Sequence, residues 1–201
     1  MIKAILFDIG GVILNMELFN KRIMGVFKVN DKDKFWEQLN LESLPLCRGD
    51  VTFSQFWKEL QKNHHRHIAE PQLKRVLFDE YQDLVRLDKG VLNLAANLRK
   101  NYKVAIVSNS IPQHSEVIRG FGFLSNFDAV ILSDEVHMTK DAKDIFLLAA
   151  KELKVKPEQC VFIDDIESFC KVASSTGMKA ILFRNSSKLE ADLQEIGVKL
   201  R

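Results

Sequence analysis

The chain has little cysteine. Cys47, Cys160 and Cys170 are its three thiols, and no two stand as a C-x-x-C pair. An odd, dispersed set argues against both a disulfide framework and a zinc site, which leaves reduced, buried thiols as the expectation. Charge of one sign is also scarce. With 29 basic and 27 acidic side chains, the formal net charge is +2, and no long basic block stands out, so bulk charge gives nucleic-acid binding no support. Long apolar runs are absent as well. None approaches the roughly 20 residues of a membrane span, and the apolar stretch that begins at Ile5 is cut at Asp8, too short for the core of a signal peptide. A cytoplasmic protein with no membrane and no nucleic-acid partner is expected. What is present is apolar mass, 46% of the residues, enough for a substantial core in one domain or in a core domain carrying a smaller insertion.

The stretch Ile5-Leu6-Phe7-Asp8-Ile9-Gly10-Gly11-Val12 carries the first chemical signal. Apolar residues suited to a buried strand run into a carboxylate, and two glycines follow where the backbone must turn. An acid there is costly unless it is paired or holds a metal, so Asp8 is either a salt-bridged structural residue or a site residue. From about Met16 to Leu87 the pattern changes. Phe19, Ile23, Met24 and Phe27 recur at helical spacing, as do Phe53, Phe56, Trp57 and Leu60, and then Leu73, Val76, Leu77, Tyr81, Leu84 and Val85. The spacing predicts three or four helices with no strand, the middle one opened by a capping box at Thr52-Phe53-Ser54-Gln55. The rings of Phe19, Phe53, Phe56 and Trp57 are expected to form this block's own core, and His64, His65 and His67 to lie in a solvated loop between helices.

Beyond Asp88, helical patterns alternate with the short apolar runs 104–107, 129–132, 161–163 and 180–183. Five nearly all-apolar strands separated by helices imply a Rossmann-like α/β fold with a parallel sheet covered on both faces. The helical block interrupts this pattern after strand one. Residues 1–14 and 89–201 are therefore expected to form the core domain, and 15–88 a small helical domain inserted in it.

In open parallel sheets, ligands bind beyond the carboxyl ends of the strands. The first strand here ends in Asp8, the second in Ser108-Asn109-Ser110, the third in Ser133-Asp134-Glu135 and the fourth in Asp164-Asp165. Paired acids after a buried strand suit Mg²⁺, a hard cation that takes carboxylate oxygens and keeps waters for an anionic substrate. The Ser108 hydroxyl and the Lys140 ammonium suit phosphate oxygens. Singly, each residue also has a plain structural reading as a helix cap, a surface charge or a turn. Jointly, in this order, they do not.

In these residues and in the position of the inserted helices, the sequence resembles the haloacid dehalogenase superfamily of aspartate-nucleophile phosphatases, in the subclass with a helical cap after strand one. The resemblance covers nearly the whole chain and implies strand order 5-4-1-2-3. It implies that Asp8 is the nucleophile and a Mg²⁺ ligand, that Asp165 is the direct ligand with Asp164 its neighbour or alternate, and that Gly10 contributes its backbone carbonyl to the metal. Ser108, Asn109 and Lys140 would hold the phosphoryl group of a small phosphorylated substrate, such as a sugar phosphate.

Two departures qualify the likeness. Relatives usually carry an aspartate acid/base where this chain has Gly10, so a slow phosphatase is expected; the alternative is a metal- and phosphate-binding or regulatory protein that kept the fold. Some relatives with an Asp-x-Gly-x-Val motif, including bacterial sugar-phosphate phosphatases, share the glycine. A dehalogenase is a weaker reading, because paired acids favour a metal that such chemistry does not need. In the third motif Lys140 is followed by Asp141 instead of proline, which leaves Asp141 free to pair with Lys140 or to cap the next helix. His137 stands where relatives often have glycine, as a possible substitute proton carrier or a plain loop residue.

Overall fold

The computed structural model describes residues 1–29, 32–64 and 68–200. The chain opens with strand β1 (Ala4–Phe7), turns through Gly10 and Gly11, and forms the two-residue strand β2 (Leu14–Asn15). Helices α1 (Glu17–Phe27), α2 (Lys32–Arg48), α3 (Phe53–His64) and α4 (Glu70–Lys74) follow, then a π-helical turn (Arg75–Asp79) and α5 (Tyr81–Leu84). Strand β3 (Arg86–Leu87) pairs antiparallel with β2. Helices and strands then alternate: α6 (Lys89–Leu98), β4 (Lys103–Ser108), α7 (Pro112–Gly120), β5 (Ala129–Leu132), α8 (Ser133–Val136), α9 (Asp144–Glu152), β6 (Cys160–Asp164), α10 (Glu167–Ser174), β7 (Lys179–Leu182) and α11 (Ser186–Glu195).

Five strands form one sheet in the order β5-β4-β1-β6-β7, all in parallel pairs. This is the α/β fold expected from the sequence, in the strand order that the family resemblance implied. β1 is central because both of its faces are dry. Successive side chains of a strand point to opposite faces, so Ile5 and Phe7 enter one apolar cluster and Ala4 and Leu6 the other. The first cluster continues without a break into the helical block, through Phe19, Ile23, Phe27, Phe56, Leu60 and Leu73. The second packs the sheet against α9 and α10 through Ile145, Phe146, Ala149, Phe169 and Ala173. All three cysteines are free and buried, as their spacing implied.

Register places the strand ends. Phe7 lies opposite Ile106 of β4 and Ile163 of β6, and Asp8 donates its backbone N–H to the Ile163 carbonyl at 2.9 Å. Asp8 therefore leaves β1 level with Asp164, one residue short of Ser108 on the other side.

The helical block differs from expectation in three places. The short strands β2 and β3 run along its two ends, too brief to leave a sequence pattern. The single helix expected over Leu73–Val85 is broken into α4, the π turn and α5, and only its apolar spacing was readable. His64 is not in a solvated loop. It ends α3 four residues after Leu60, so it returns to the buried face, where its side chain is 9% exposed. There its Nε2 meets Glu42 Oε2 at 2.9 Å and its ring packs edge-on to Phe27 and Phe35. His65 and His67 lie outside the described residues.

The capping box at the start of α3 is present. The Gln55 amide N–H donates to Thr52 Oγ1 at 3.3 Å, and the Thr52 backbone N–H donates to Gln55 Oε1 at 2.8 Å. Thr52→Ala is expected to lower stability by about 1 kcal/mol, read from urea denaturation; no change would mean that the cap contributes nothing to this helix.

Candidate active site

Asp8, Ser108, Lys140 and Asp164 are all buried polar residues, and the sheet's carboxyl edge gathers them. The Lys140 ammonium lies 2.6 Å from Asp164 Oδ2 and 2.9 Å from Asp8 Oδ1, above the ring of Phe169. Asp164 is saturated. Its Oδ2 accepts from Lys140 Nζ, and its Oδ1 accepts the backbone N–H of Ile166 at 2.8 Å, holding the start of α10. Asp165 instead turns its carboxylate into a cavity that Asp8, Gly10, Gly11, Ser108, Asn109 and Lys140 also line. Gly11 is what lets it approach. With φ at +78° and a Cβ that would overlap the Asp165 carboxylate, this position admits glycine alone without displacement.

Asp8, Asp164 and Asp165 each offer an oxygen within 4.8 Å of the others. Burial pushes Asp164 up, reinforced by Asp8 and Asp165 and opposed by Lys140. Burial and then the charge of Asp8 push Asp165 up to about 6. Burial alone would lower the Lys140 ammonium, but Asp164 and Asp8 outweigh it and the group is raised, so Lys140 stays charged. Three acids against one ammonium leave negative charge in excess, and Asp8 Oδ1, although paired in charge with Lys140, is buried without accepting a hydrogen bond. Such a donor set of carboxylate oxygens fits a hard divalent cation such as Mg²⁺.

The neighbouring loops hold these groups in ways that the motifs alone did not reveal. Asn109 points its Oδ1 at the backbone N–H of Lys140, 3.0 Å away, and so ties the second motif to the third. Ser133, buried at the end of β5, accepts the Ser110 backbone N–H at 2.8 Å, with its hydroxyl 2.9 Å from the Cys47 carbonyl of α2. Asp141 neither pairs with Lys140 nor begins α9. It accepts from the Thr139 hydroxyl at 2.5 Å and faces Arg48 of α2, whose guanidinium also donates to Thr139 Oγ1 at 2.9 Å. His137 adopts the left-handed backbone, φ 55°, which accounts for glycine being common at that position, and its Nδ1 donates to the Arg48 carbonyl at 2.8 Å. It is not among the residues lining the cavity.

Comparison with known proteins follows this geometry. A family model described as haloacid dehalogenase-like hydrolase matches residues 2–168. The chain is similar to the D-ribitol-5-phosphate phosphatase of Bacteroides thetaiotaomicron, 25% identical over 207 residues that cover 98% of each protein. It is also similar to Protein CbbY of Cereibacter sphaeroides, 26% identical over 194 residues, which is 90% of this chain and 84% of that one. Among solved structures, a HAD family enzyme of Bacteroides thetaiotaomicron in complex with magnesium and inorganic phosphate superposes with a TM-score of 0.65 at 24% identity, over 94% of this chain and 99% of that one; at that identity the likeness shows the fold.

No pattern in the sequence points to His114, yet it stands half-buried in the cavity wall. Its ring stacks on Tyr81 with centroids 3.7 Å apart, and its Nε2 lies 2.7 Å from the Leu77 carbonyl in the π turn. A carbonyl only accepts, so the ring carries its proton on Nε2. Burial lowers its pKa from 6.5 to about 4, against the partial support of the Leu77 carbonyl. The unfolded chain thus binds an extra proton between those pH values, and stability rises with pH through the window and is lost as pH falls through it. Of the stability lost between pH 7 and pH 4, at most roughly 3 kcal/mol is expected to come from this ring and to be missing in His114→Phe. Urea titrations of both proteins at the two pH values measure the difference, and parallel losses would refute the assignment.

Proposed function

Because the chain belongs to the haloacid dehalogenase-like hydrolases and is phosphatase-like in its relatives, we propose that it hydrolyses small phosphomonoesters through a phosphorylated Asp8 intermediate. The observation that carries this reading is the convergence of Asp8, Asp165 and the buried Lys140 at one end of a cavity, with Asp164 behind them on the Lys140 ammonium. Residues 15–88 are read as a cap over a core of 1–14 and 89–201, with β2 and β3 as the two connecting strands.

In this reading Asp8 and Asp165, with the Gly10 carbonyl, hold Mg²⁺, and Asp164 serves mainly to fix Lys140. Bound Mg²⁺ would neutralise the acid cluster and withdraw charge from the phosphoryl oxygens. A carboxylate oxygen of Asp8 attacks phosphorus, and the bond from phosphorus to the ester oxygen breaks. The departing alkoxide takes its proton from water, since Gly10 offers none. A water oxygen then attacks phosphorus, its proton passes to solvent, and the bond from Asp8 to phosphorus breaks to release inorganic phosphate. The Ser108 hydroxyl and the Lys140 ammonium hold the phosphoryl oxygens through both steps, while Asn109 keeps the Lys140 backbone in place. General acid–base assistance is worth about 10² to 10⁴-fold, so turnover of alkyl esters is slow.

Gly10 itself has room for a side chain's Cβ. A Cβ there meets only Met16 Cγ at 4.0 Å, and its φ lies outside the left-handed range. With Mg²⁺ and an aryl phosphate, whose leaving group needs little protonation, the wild type is expected to turn over and Asp8→Asn not to; equal rates sink the proposal. Gly10→Asp should accelerate alkyl esters by about tenfold or more while changing aryl esters little. If that variant creates activity where wild type has none on any ester, the natural protein is a ligand-binding relative and not a catalyst. Mg²⁺ at a hundred times its Kd should stabilise the protein by about 2.7 kcal/mol, a Tm rise of roughly 5 to 10 °C for a chain of this size. Asp165→Asn should abolish the rise, and a rise that survives in this variant would remove Asp165 from the metal site.

A further inference from the structure

The cavity at the sheet's carboxyl edge has a volume of about 670 Å³, ample for a small organic molecule. In-line displacement at phosphorus puts the leaving oxygen on the side away from Asp8. Negative charge develops on that oxygen, and a hydrogen-bond donor aimed at it would lower the barrier. Gly10 has no side chain to offer one. In the reading above, Lys140 and Ser108 are occupied by the other phosphoryl oxygens, and Arg184, exposed, acts by its charge on Asp165. The donor must therefore come from another part of the cavity wall.

Residues 15–88 lend the lining Asn20, Trp36, Asn40, Ser43 and Tyr81 as side chains with polar N or O atoms. The Ser43 hydroxyl donates to the Asn40 carbonyl at 2.9 Å, and the Trp36 indole N–H is sealed from solvent. The Asn20 and Asn40 amides are half-buried, with no hydrogen bond to hold them among the described residues. Tyr81 is different because its ring is fixed. It stacks on His114 with centroids 3.7 Å apart and an interplanar angle of 8°, and it meets Phe19 edge-on at 5.3 Å. Phe19 and Phe56, expected from their spacing to be core alone, also line this cavity. His114 stands in the first turn of α7, just after Ser108-Asn109-Ser110, and the hydroxyl of its neighbour Ser115 donates to Ser110 Oγ at 2.9 Å. The Tyr81 ring is thus clamped to the loop that would hold the phosphoryl group. Only 3% of the residue is exposed, yet its unpartnered oxygen is not among the sealed polar atoms, so what stays open includes the hydroxyl. Burial, and then the charge of Asp8, push the phenol up, so the hydroxyl keeps its proton and acts as a donor.

We infer that the Tyr81 hydroxyl donates a hydrogen bond to the ester oxygen of the substrate and stabilises its charge as the bond to phosphorus breaks. The inference rests on the phosphatase reading. The electron pair of the breaking bond goes to the ester oxygen, Tyr81 holds that oxygen without giving up its proton, and the alkoxide is protonated by water. Tyr81 in this way supplies the electrostatic part of what an aspartate at position 10 would do, and leaves the proton transfer to solvent.

Tyr81→Phe tests it, because phenylalanine keeps both ring contacts and removes only the hydroxyl. With Mg²⁺ present, kcat/KM of the wild type and the variant is measured over phosphate monoesters whose leaving groups run from nitrophenol through phenol to glycerol and ethanol, against an Asp8→Asn control. Each ester is compared with itself in the two proteins, so differences in the body of the substrate cancel. The loss is expected to grow with the basicity of the leaving oxygen. It should be less than about threefold for the nitrophenyl ester, whose oxygen carries little charge to stabilise, and roughly ten- to a hundredfold for the alkyl esters, the worth of one hydrogen bond to a charged oxygen. A hydroxyl with a merely structural role would lower all esters alike. Equal losses across the series, or none, overturn the inference, and so does a graded loss that appears in Asn20→Ala or Asn40→Ala and not in Tyr81→Phe. Wild-type turnover no higher than that of Asp8→Asn overturns the phosphatase reading and the inference with it, and it is told apart from the other outcomes because it shows before any Tyr81 variant is compared.

Discussion

Lys140 is 2% exposed, and its ammonium touches the carboxylates of both Asp8 and Asp164. An ammonium taken out of water is tolerated only with close opposite charge, and removing one partner of a buried pair typically costs about 3 to 5 kcal/mol because the other is left uncompensated. The contact therefore binds three distant parts of the chain to one geometry: the end of β1, the end of β6 and the loop before α9. It also leaves the local charge unbalanced, since Asp165 and Asp8 retain oxygens facing the cavity. Carboxylate oxygens in excess of the ammonium are a donor set that suits a hard divalent cation.

The rest of the edge supports that contact from behind. Asn109 fixes the backbone of Lys140, and Ser133 binds the second-motif loop while reaching the carbonyl of Cys47. On the far side of the same loop, Arg48 gathers Thr139 and Asp141, and its own carbonyl receives His137. Asp141, which replaces a rigid proline in the pattern that its relatives follow, is thus tied by charge to α2. Together with the apolar cluster that runs unbroken from the sheet into the helices, these bonds join the helical segment to the loop that carries Lys140. The cavity between them takes its charged lining side chains from the strand-end loops and, among the described residues, only uncharged ones, amides and hydroxyls among them, from the helical segment.

Much of this was readable in one dimension. Short all-apolar runs identified the five strands, the acids and hydroxyls after them identified the candidate edge, and Thr52 and Gln55 marked the start of α3 by a bond between residues three apart. The failures share a cause. His64 was misplaced because its burial depends on Glu42 and Phe27, which belong to other helices; the roles of Asp141 and His137 were not legible because their partner, Arg48, is far away in sequence. His114 was overlooked because nothing local distinguishes it before Tyr81 stacks against it.

The sequence by itself therefore determined the chemical inventory and its order: an α/β sheet, an inserted run of helices, and acids, a hydroxyl and a lysine at the strand ends. Those are properties of periodicity and adjacency, carried within a few residues. Tertiary structure alone decided how the carboxylates divide, with Asp164 spent on Lys140 and Asp165 turned to the cavity. It alone decided that Asn109 anchors a backbone and that Phe19 lines the cavity. Each of these depends on the register between β1 and β6 or on the packing of helices across the sheet's edge, where a shift of one residue would exchange one carboxylate for its neighbour.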